Sequence, residues 1–362
     1  MKGSFLIHLL FILAFVPAKS QKVDKLIRKH NLFTQNYYVE LTTNKGNNVD
    51  TPFEFRQNNT IKYTTSIKWL ALKDDKITVE INRTSDMYVN DKSSELTVAN
   101  NLAVRTSAAL YPLILSYDAN GNIIEVENFD EIQKRWETVK KELQQDFHGE
   151  GLDRYIYKNN QRYRSTDALA HALNNDCFLN MLFNNIIYTE YLKDTAIKDF
   201  HFPYIQNTMA IKNTVKLHKY IDDNGTICVH FDGTLTDKRS KSDLKNESNY
   251  PYYTNSPLAK GQCFGTYFID PVYNNIQSLM FLYTITLEID KSIMLKILHI
   301  NDLEKPIKDL PKVKNSTDKI YIPISIYSDT EKDVQRHLNP LMDIKDMTRR
   351  DHTGEGIIIG GQ

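Results

Sequence analysis

A period-two alternation of apolar and polar residues dominates residues 37–117 and returns after residue 214. Alternation at this period sorts side chains onto the two faces of a β-strand, so long stretches of this chain have to bury one face of a sheet. Ile67, Trp69 and Ala71 alternate with polar residues, and so do Ile77, Val79 and Ile81 beyond Lys73-Asp74-Asp75. An antiparallel register of Ala71 with Ile77, Trp69 with Val79 and Ile67 with Ile81 also sets Lys68 opposite Glu80. A slip of one residue would mix the two faces, which fixes the expected pairing.

A second hairpin is expected between Val215–Ile221 and Ile227–Phe231. A three-residue loop with Gly225 in the left-handed region pairs Ile221 with Ile227 and Leu217 with Phe231 on one face. The other face then carries Tyr220 with Cys228 and His218 with His230. Further strands are expected over 265–270, 279–289, 294–300 and 320–327. A turn is expected at Asp118-Ala119-Asn120-Gly121.

The middle of the chain has the helical period instead. Phe129, Ile132, Trp136, Val139 and Leu143 recur at spacings of three and four, with Asn128 as N-cap and Glu131 as its capping-box partner. A second, more apolar helix is expected from about Asp167 to Tyr188. These elements predict an α+β fold, predominantly antiparallel β-sheet with two or three helices packed on one side. The expected divisions are a signal peptide (1–20), a β-rich half ending in an amphipathic helix (21–147) and a helical middle (148–210). A second β-rich half (211–301) and a linker, last strand and loose tail (302–362) complete them. Either one large sheet or two packed halves satisfies the pattern.

Lys2, the apolar run Phe5–Val16 and Ala18-Lys19-Ser20 have the charge, core and small-residue cleavage pattern of a secretory signal peptide. The apolar run is short for a membrane span and no later run is longer, so no integral membrane segment is expected after its removal. The expected location is therefore periplasmic or extracellular. Lys+Arg and Asp+Glu both number 45, and removing Lys2 and Lys19 leaves 43 against 45. A chain without a basic surplus is not built to bind nucleic acid. Cys177, Cys228 and Cys263 permit one disulfide in an oxidising compartment, and Cys228 with Cys263 is the favoured pair because both sit on expected strands.

The segment His230-Phe231-Asp232-Gly233-Thr234 resembles the first motif of the haloacid-dehalogenase phosphatases. That resemblance implies a nucleophilic aspartate where this chain has His230, and imidazole cannot both attack phosphorus and ligate a hard cation. Asp232-Gly233 reads instead as a strand end. His218 and His230 across one ladder are two ligands and no metal site. His148-Gly149-Glu150-Gly151-Leu152-Asp153-Arg154 is the best cluster of ionisable groups in an expected flexible loop, and Glu150 with Asp153 could serve hydrolysis as acid and base. The favoured reading is a helix C-terminus, with the helix ending at Phe147, Gly149 near the cap and the charges solvated. No complete catalytic signature is present, and no cofactor-binding or metal-ligating set is nominated. The reading is of an exported non-enzymatic binding or structural protein whose partner is a hydrophobic small molecule or another protein. The alternatives are a secreted hydrolase using Glu150 and Asp153, or a protein-recognition module.

Overall fold

The computed structural model describes residues 34–46, 57–73, 76–85, 87–90, 94–189, 195–203, 210–222, 225–245, 251, 253, 255–287, 290–300 and 320–321. The expected signal peptide and most of the region 302–362 lie outside these residues. The chain divides into two compact units: one takes the described residues of 1–91, 111–129 and 166–311, the other those of 92–110, 130–165 and 312–362.

The first unit is built on one sheet. In chain order its strands are β1 (Gln35–Gly46), β2 (Gln57–Lys73), β3 (Lys76–Arg83), β4 (Tyr88–Asn90), β5 (Leu113–Tyr117) and β6 (Ile123–Val126). Beyond the helices come β8 (Thr195–Pro203), β9 (Ala210–Ile221), β10 (Ile227–Leu235), β11 (Lys260–Ile269), β12 (Ile276–Thr286) and β13 (Asp290–Ile300). The hydrogen-bonded order is β6-β5-β3-β2-β1-β13-β12-β11-β10-β9-β8, with β4 on β2. Both β-rich stretches of the sequence therefore form one sheet, joined where β1 runs antiparallel to β13.

The expected hairpins form. In β9–β10, Ile221 pairs with Ile227, Leu217 with Phe231, Tyr220 with Cys228 and His218 with His230. Gly225 takes a φ of 82°, and nothing would meet an added Cβ there, so the backbone angle alone calls for glycine. In β2–β3 the pairs at Ile67, Lys68 and Trp69 are as expected, but a register shift between Trp69 and Ala71 sets Ala71 opposite Thr78 and Leu72 opposite Ile77. The pairing expected for Ala71 is thus corrected by a bulge, which adds a residue that alternation cannot reveal.

The inner face of the sheet wraps a helical segment made of α4 (Thr166–Asn174), α5 (Cys177–Phe183) and a 3-10 turn (Ile186–Tyr188). The Asp176 carboxylate caps α5 by accepting from the Leu179 N–H at 3.0 Å, which breaks in two the single helix expected over 167–188. Phe183 stacks on Tyr117 of β5 with centroids 4.5 Å apart, Phe178 meets the Tyr63 ring of β2 edge-on, and the Tyr267 hydroxyl of β11 donates to the Met181 carbonyl at 2.8 Å. Strands β5 and β11 are six steps apart in the sheet, which would separate them by about 29 Å if it were flat. One short helix reaches both because the sheet curls around it. The curl brings the edges together: Asn120 and Asn122 of the β5–β6 turn share one cleft of about 630 Å³ with Asp199 and His201 of β8.

Buried rings fill the rest of the inner face. Phe202, Phe231 and Phe281 lie 5.2–6.0 Å apart by centroid, and Tyr267 and Tyr283 extend the cluster. The Phe231 ring covers its cross-strand partner Gly265, where a Cβ would come within 2.5 Å of the ring. At one end Leu244, on the short helix α6 (Lys241–Lys245), joins Ile211, Ala259, Ile285 and Leu287 in the core. The carboxylate of the buried Asp243 holds that corner by accepting from the Ser240 N–H and hydroxyl and from the Tyr253 N–H.

The second unit is helical. It contains α1 (Ser94–Leu110), nearly all of α2 (Phe129–Asp146) and α3 (Glu150–Arg162), with β7 (Phe147–His148) pairing in parallel with β14 (Ile320–Tyr321). Trp136 stacks on Tyr163 and donates to Asn160 at 2.9 Å, while the Arg105 guanidinium meets Asp146 at 2.6 Å. The Tyr155 hydroxyl donates to Thr106 at 2.7 Å. Six α-helices are described, against the two or three expected. The sequence reading missed α1 because its buried residues Leu102, Thr106, Ala109 and Leu110 are interspersed with small polar ones that read as strand or loop. Asn128, expected to cap α2, instead accepts from the Ile114 N–H and donates to the Pro112 carbonyl.

The three cysteines are free and buried. The expected Cys228–Cys263 bridge is ruled out by sheet parity: Cys228 pairs with Phe268 and Cys263 with Gly233, which sets the two thiols on opposite faces. We predict that Gly265→Ala destabilises the fold by about 2 kcal/mol, because the new methyl group displaces the Phe231 ring from a filled core. Denaturant unfolding measures this, and an unchanged midpoint would contradict the packing described here.

Candidate functional site

The outer face of the sheet changes character along its width. From β1 to β5 it is polar, with hydroxyl pairs Thr42–Thr60, Thr64–Thr84 and Thr78–Ser116. Glu40 lies 3.7 Å from both Lys62 and Lys296. From β11 to β13 the same face turns apolar. The cross-strand rows are Phe264–Leu282–Met294, Thr266–Met280–Lys296 and Phe268–Ser278–Leu298. Met280, Leu298, Phe264 and Phe268 remain 47, 45, 42 and 37% exposed. Single exposed apolar residues are ordinary, but a contiguous cluster on neighbouring strands is not.

Two clefts border this cluster. One, of about 440 Å³, is lined by Ile197, Lys216, Asp232, Phe264 and the residues between them in the sheet. The other, of about 520 Å³, is lined in part by Thr234, Lys260, Gln262, Thr284, Lys291 and Ser292. Thr234 and Gln262 belong to both, so the two clefts adjoin. The third cleft, between the sheet edges, is amide-rich, and several of its amides are already engaged in structure. Asn174 accepts from the Ile123 N–H and donates to the Ile123 carbonyl, so its side chain caps the β6 edge as a further strand would.

The candidates read from sequence fall elsewhere. Glu150 and Asp153 are exposed on the first turn of α3, and neither lines any of these three clefts. The preceding helix ends at Asp146, close to the expected end, but Glu150 to Arg154 open the next helix, with Gly149 at φ 105° before it, instead of forming a loop. His218 and His230 do face each other, with ring centroids 6.4 Å apart, and His230 Nδ1 lies 3.0 Å from the Thr266 hydroxyl. Among the described residues no group of three His, Cys, Asp or Glu side chains is placed to hold a metal ion. The segment resembling the phosphatase motif lies inside β10, which runs on to Leu235, so Asp232-Gly233 is not the expected strand end.

Burial raises the pKa of all three thiols, Cys263 to about 12, which keeps them protonated and poor as nucleophiles at neutral pH. Lys219 points inward, buried, and donates to the Thr189 carbonyl at 3.2 Å. Desolvation lowers its pKa to about 8.

Sequence reasoning missed the apolar outer residues, although β12 carried a signal. Leu279-Met280-Phe281-Leu282-Tyr283 is apolar at both parities, which a strand with one wet face does not need. No family model matches the chain, and no curated protein matches it. Among solved structures, the chain is similar to one described as "lipid-protein interactions in lipovitellin", at 10% identity and a TM-score of 0.35, over 77% of this chain and 26% of that one. It thus spans about a quarter of the lipovitellin chain. A mutant porin of Rh. blastica matches at 4% identity and a TM-score of 0.20, over 74% of this chain and 99% of its own. At these scores neither likeness carries an argument about this chain. No described helix is long and apolar enough to cross a membrane.

The buried Lys219 generates a pH prediction. Its folded pKa lies below the unfolded value of 10.5, so the folded state binds fewer protons between about pH 8 and 10.5 and this group's contribution to stability rises with pH across that window. Lys219→Met is expected to raise the melting temperature at pH 7, with the gain shrinking toward pH 10. A pH series of thermal melts measures it, and a gain that does not vary with pH would refute the assignment.

Proposed function

We propose that this chain is an exported, non-enzymatic binding protein of the periplasm or cell surface that holds a hydrophobic ligand on the outer face of β11–β13. The observation that carries this reading is the contiguous cluster of Phe264, Phe268, Met280, Leu282, Met294 and Leu298, set on the same face whose other half is a ladder of hydroxyls and ion pairs. Most apolar residues of β1–β5 face inward, whereas β11–β13 carry apolar residues on both faces, so the outer cluster is concentrated in these strands.

The interior is the less suitable host. Its rings are in contact, and the helical segment 166–189 occupies the curl. The outer cluster has free area to offer. Fully burying a large apolar side chain is worth about 1.5–3 kcal/mol, and these are already half covered, so roughly 1 kcal/mol remains for each. Association costs subtract from that sum, which places the expected affinity in the micromolar range rather than the nanomolar.

The test compares the purified protein with a variant carrying Phe264→Ser and Met280→Ser. Both side chains are exposed, so the melting temperature is expected to change little, while binding of the hydrophobic dye ANS falls by more than about half. Native mass spectra are expected to show an added mass that leaves on denaturation in the parent protein and is reduced in the variant. Equal dye binding and equal retained mass in the two proteins would overturn the reading.

A further inference from the structure

We infer that the hydrophobic ligand of the outer face is an anionic amphiphile, with its oxyanion head in the cleft lined by Lys260, Thr284 and Ser292 and its alkyl chain along Phe264, Leu282 and Met280. The inference rests on the proposed binding function and names the chemistry of its ligand.

The cleft's composition carries the argument. The Lys260 ammonium lines it together with the hydroxyls of Thr234, Thr284, Thr286 and Ser292 and the amide of Gln262, and Lys291 stands at its rim. A cation with several neutral donors makes a site for phosphate, sulfate or carboxylate oxygens, which accept from both kinds of group. Ser292 adds an independent sign. It is 3% exposed, and its hydroxyl has no hydrogen-bond partner. A buried hydroxyl in that state costs about 1–3 kcal/mol, which an acceptor brought into the cleft would offset.

Placement ties the cleft to the apolar cluster. Thr234, Gln262, Thr284 and Ser292 form one cross-strand row, and Asp232, Phe264, Leu282 and Met294 form the row two residues along. Rows of the same face lie about 7 Å apart, so a head group held in the first row delivers the start of its chain to the second. The neighbouring cleft, sharing Thr234 and Gln262 and lined by Phe264 and Ile197, continues the path. A ligand that is only apolar would make no use of the Lys260 ammonium or the Ser292 hydroxyl. A free anion would leave the cluster exposed.

The experiment measures binding of three probes below their critical micelle concentrations by isothermal titration calorimetry: dodecyl phosphate, dodecyl maltoside and inorganic phosphate. Dodecyl phosphate is expected to bind roughly tenfold more tightly than either of the others. Lys260→Gln is expected to weaken dodecyl phosphate by about fivefold and to leave dodecyl maltoside within about twofold, and Ser292→Val should act in the same direction. The exposed position of Lys260 makes its substitution safe for folding. Equal affinity for the two dodecyl compounds would overturn the anionic head while leaving hydrophobic binding intact. Inorganic phosphate binding as tightly as dodecyl phosphate would make the cleft a free-oxyanion site and overturn the amphiphile. Failure of both dodecyl compounds to bind would remove the proposed function itself.

Discussion

An antiparallel path of eleven strands has two faces and two edges, and burying one face along its whole width requires something to fill the curl. In this protein the segment 166–189 does so. Tyr117, Tyr63, Tyr267 and Lys219 come from strands distributed across the sheet, and each reaches that one segment. The contacts are of different kinds: a ring stack, an edge-on ring, a hydroxyl on a helical carbonyl and an ammonium on a loop carbonyl. The polar ones matter because α5 is short and buried, and its later carbonyls need donors that a longer helix would supply itself. Tyrosine suits this role, since its ring adds apolar area and its hydroxyl reaches the backbone.

The same architecture gives the two faces of the sheet different character. The inner face is packed so tightly that Gly265 leaves room only for the Phe231 ring. A face filled in this way has little space for a ligand. On the outer face the first half of the sheet is largely polar, with paired hydroxyls and a glutamate shared between two lysines. The second half is not. Its apolar side chains stand next to a cleft lined by Lys260 and by hydroxyl groups, and the proposed ligand rests on that pairing of unlike surfaces.

Much of the local structure was legible from residues. The β9–β10 register followed from parity and from Gly225, and the helical period of Ile132, Trp136 and Leu143 marked α2. Where reading failed, a specific interaction intervened. The bulge beside Leu70 moved Ala71 off its expected partner. Asp176 capped a helix in the middle of what looked like one apolar run. β8 gives little signal because as an edge strand it exposes most of its residues, among them Ile197, and so has little alternation. The site was less legible than the fold. Glu150 and Asp153 stood out because charges flanked by glycine draw notice, yet the structure spends them on the first turn of α3. The residues that do form a surface, Met280 and Leu282, were visible only as a run in which both parities were apolar.

By itself the sequence determined which residues alternate, which turn and which are helical, because these depend on side-chain spacing within about ten positions. It also excluded a complete metal or nucleophile motif of the kinds that have short signatures. What only the tertiary structure decided was that two distant β-rich stretches are one sheet, that Cys228 and Cys263 face opposite ways, and that Phe264, Met280 and Leu298 adjoin one another and a basic cleft. These are facts of strand order and register between segments far apart in the chain. Spacing along one strand fixes which face a side chain takes, but which strand lies beside it is settled by the burial of the whole inner face at once.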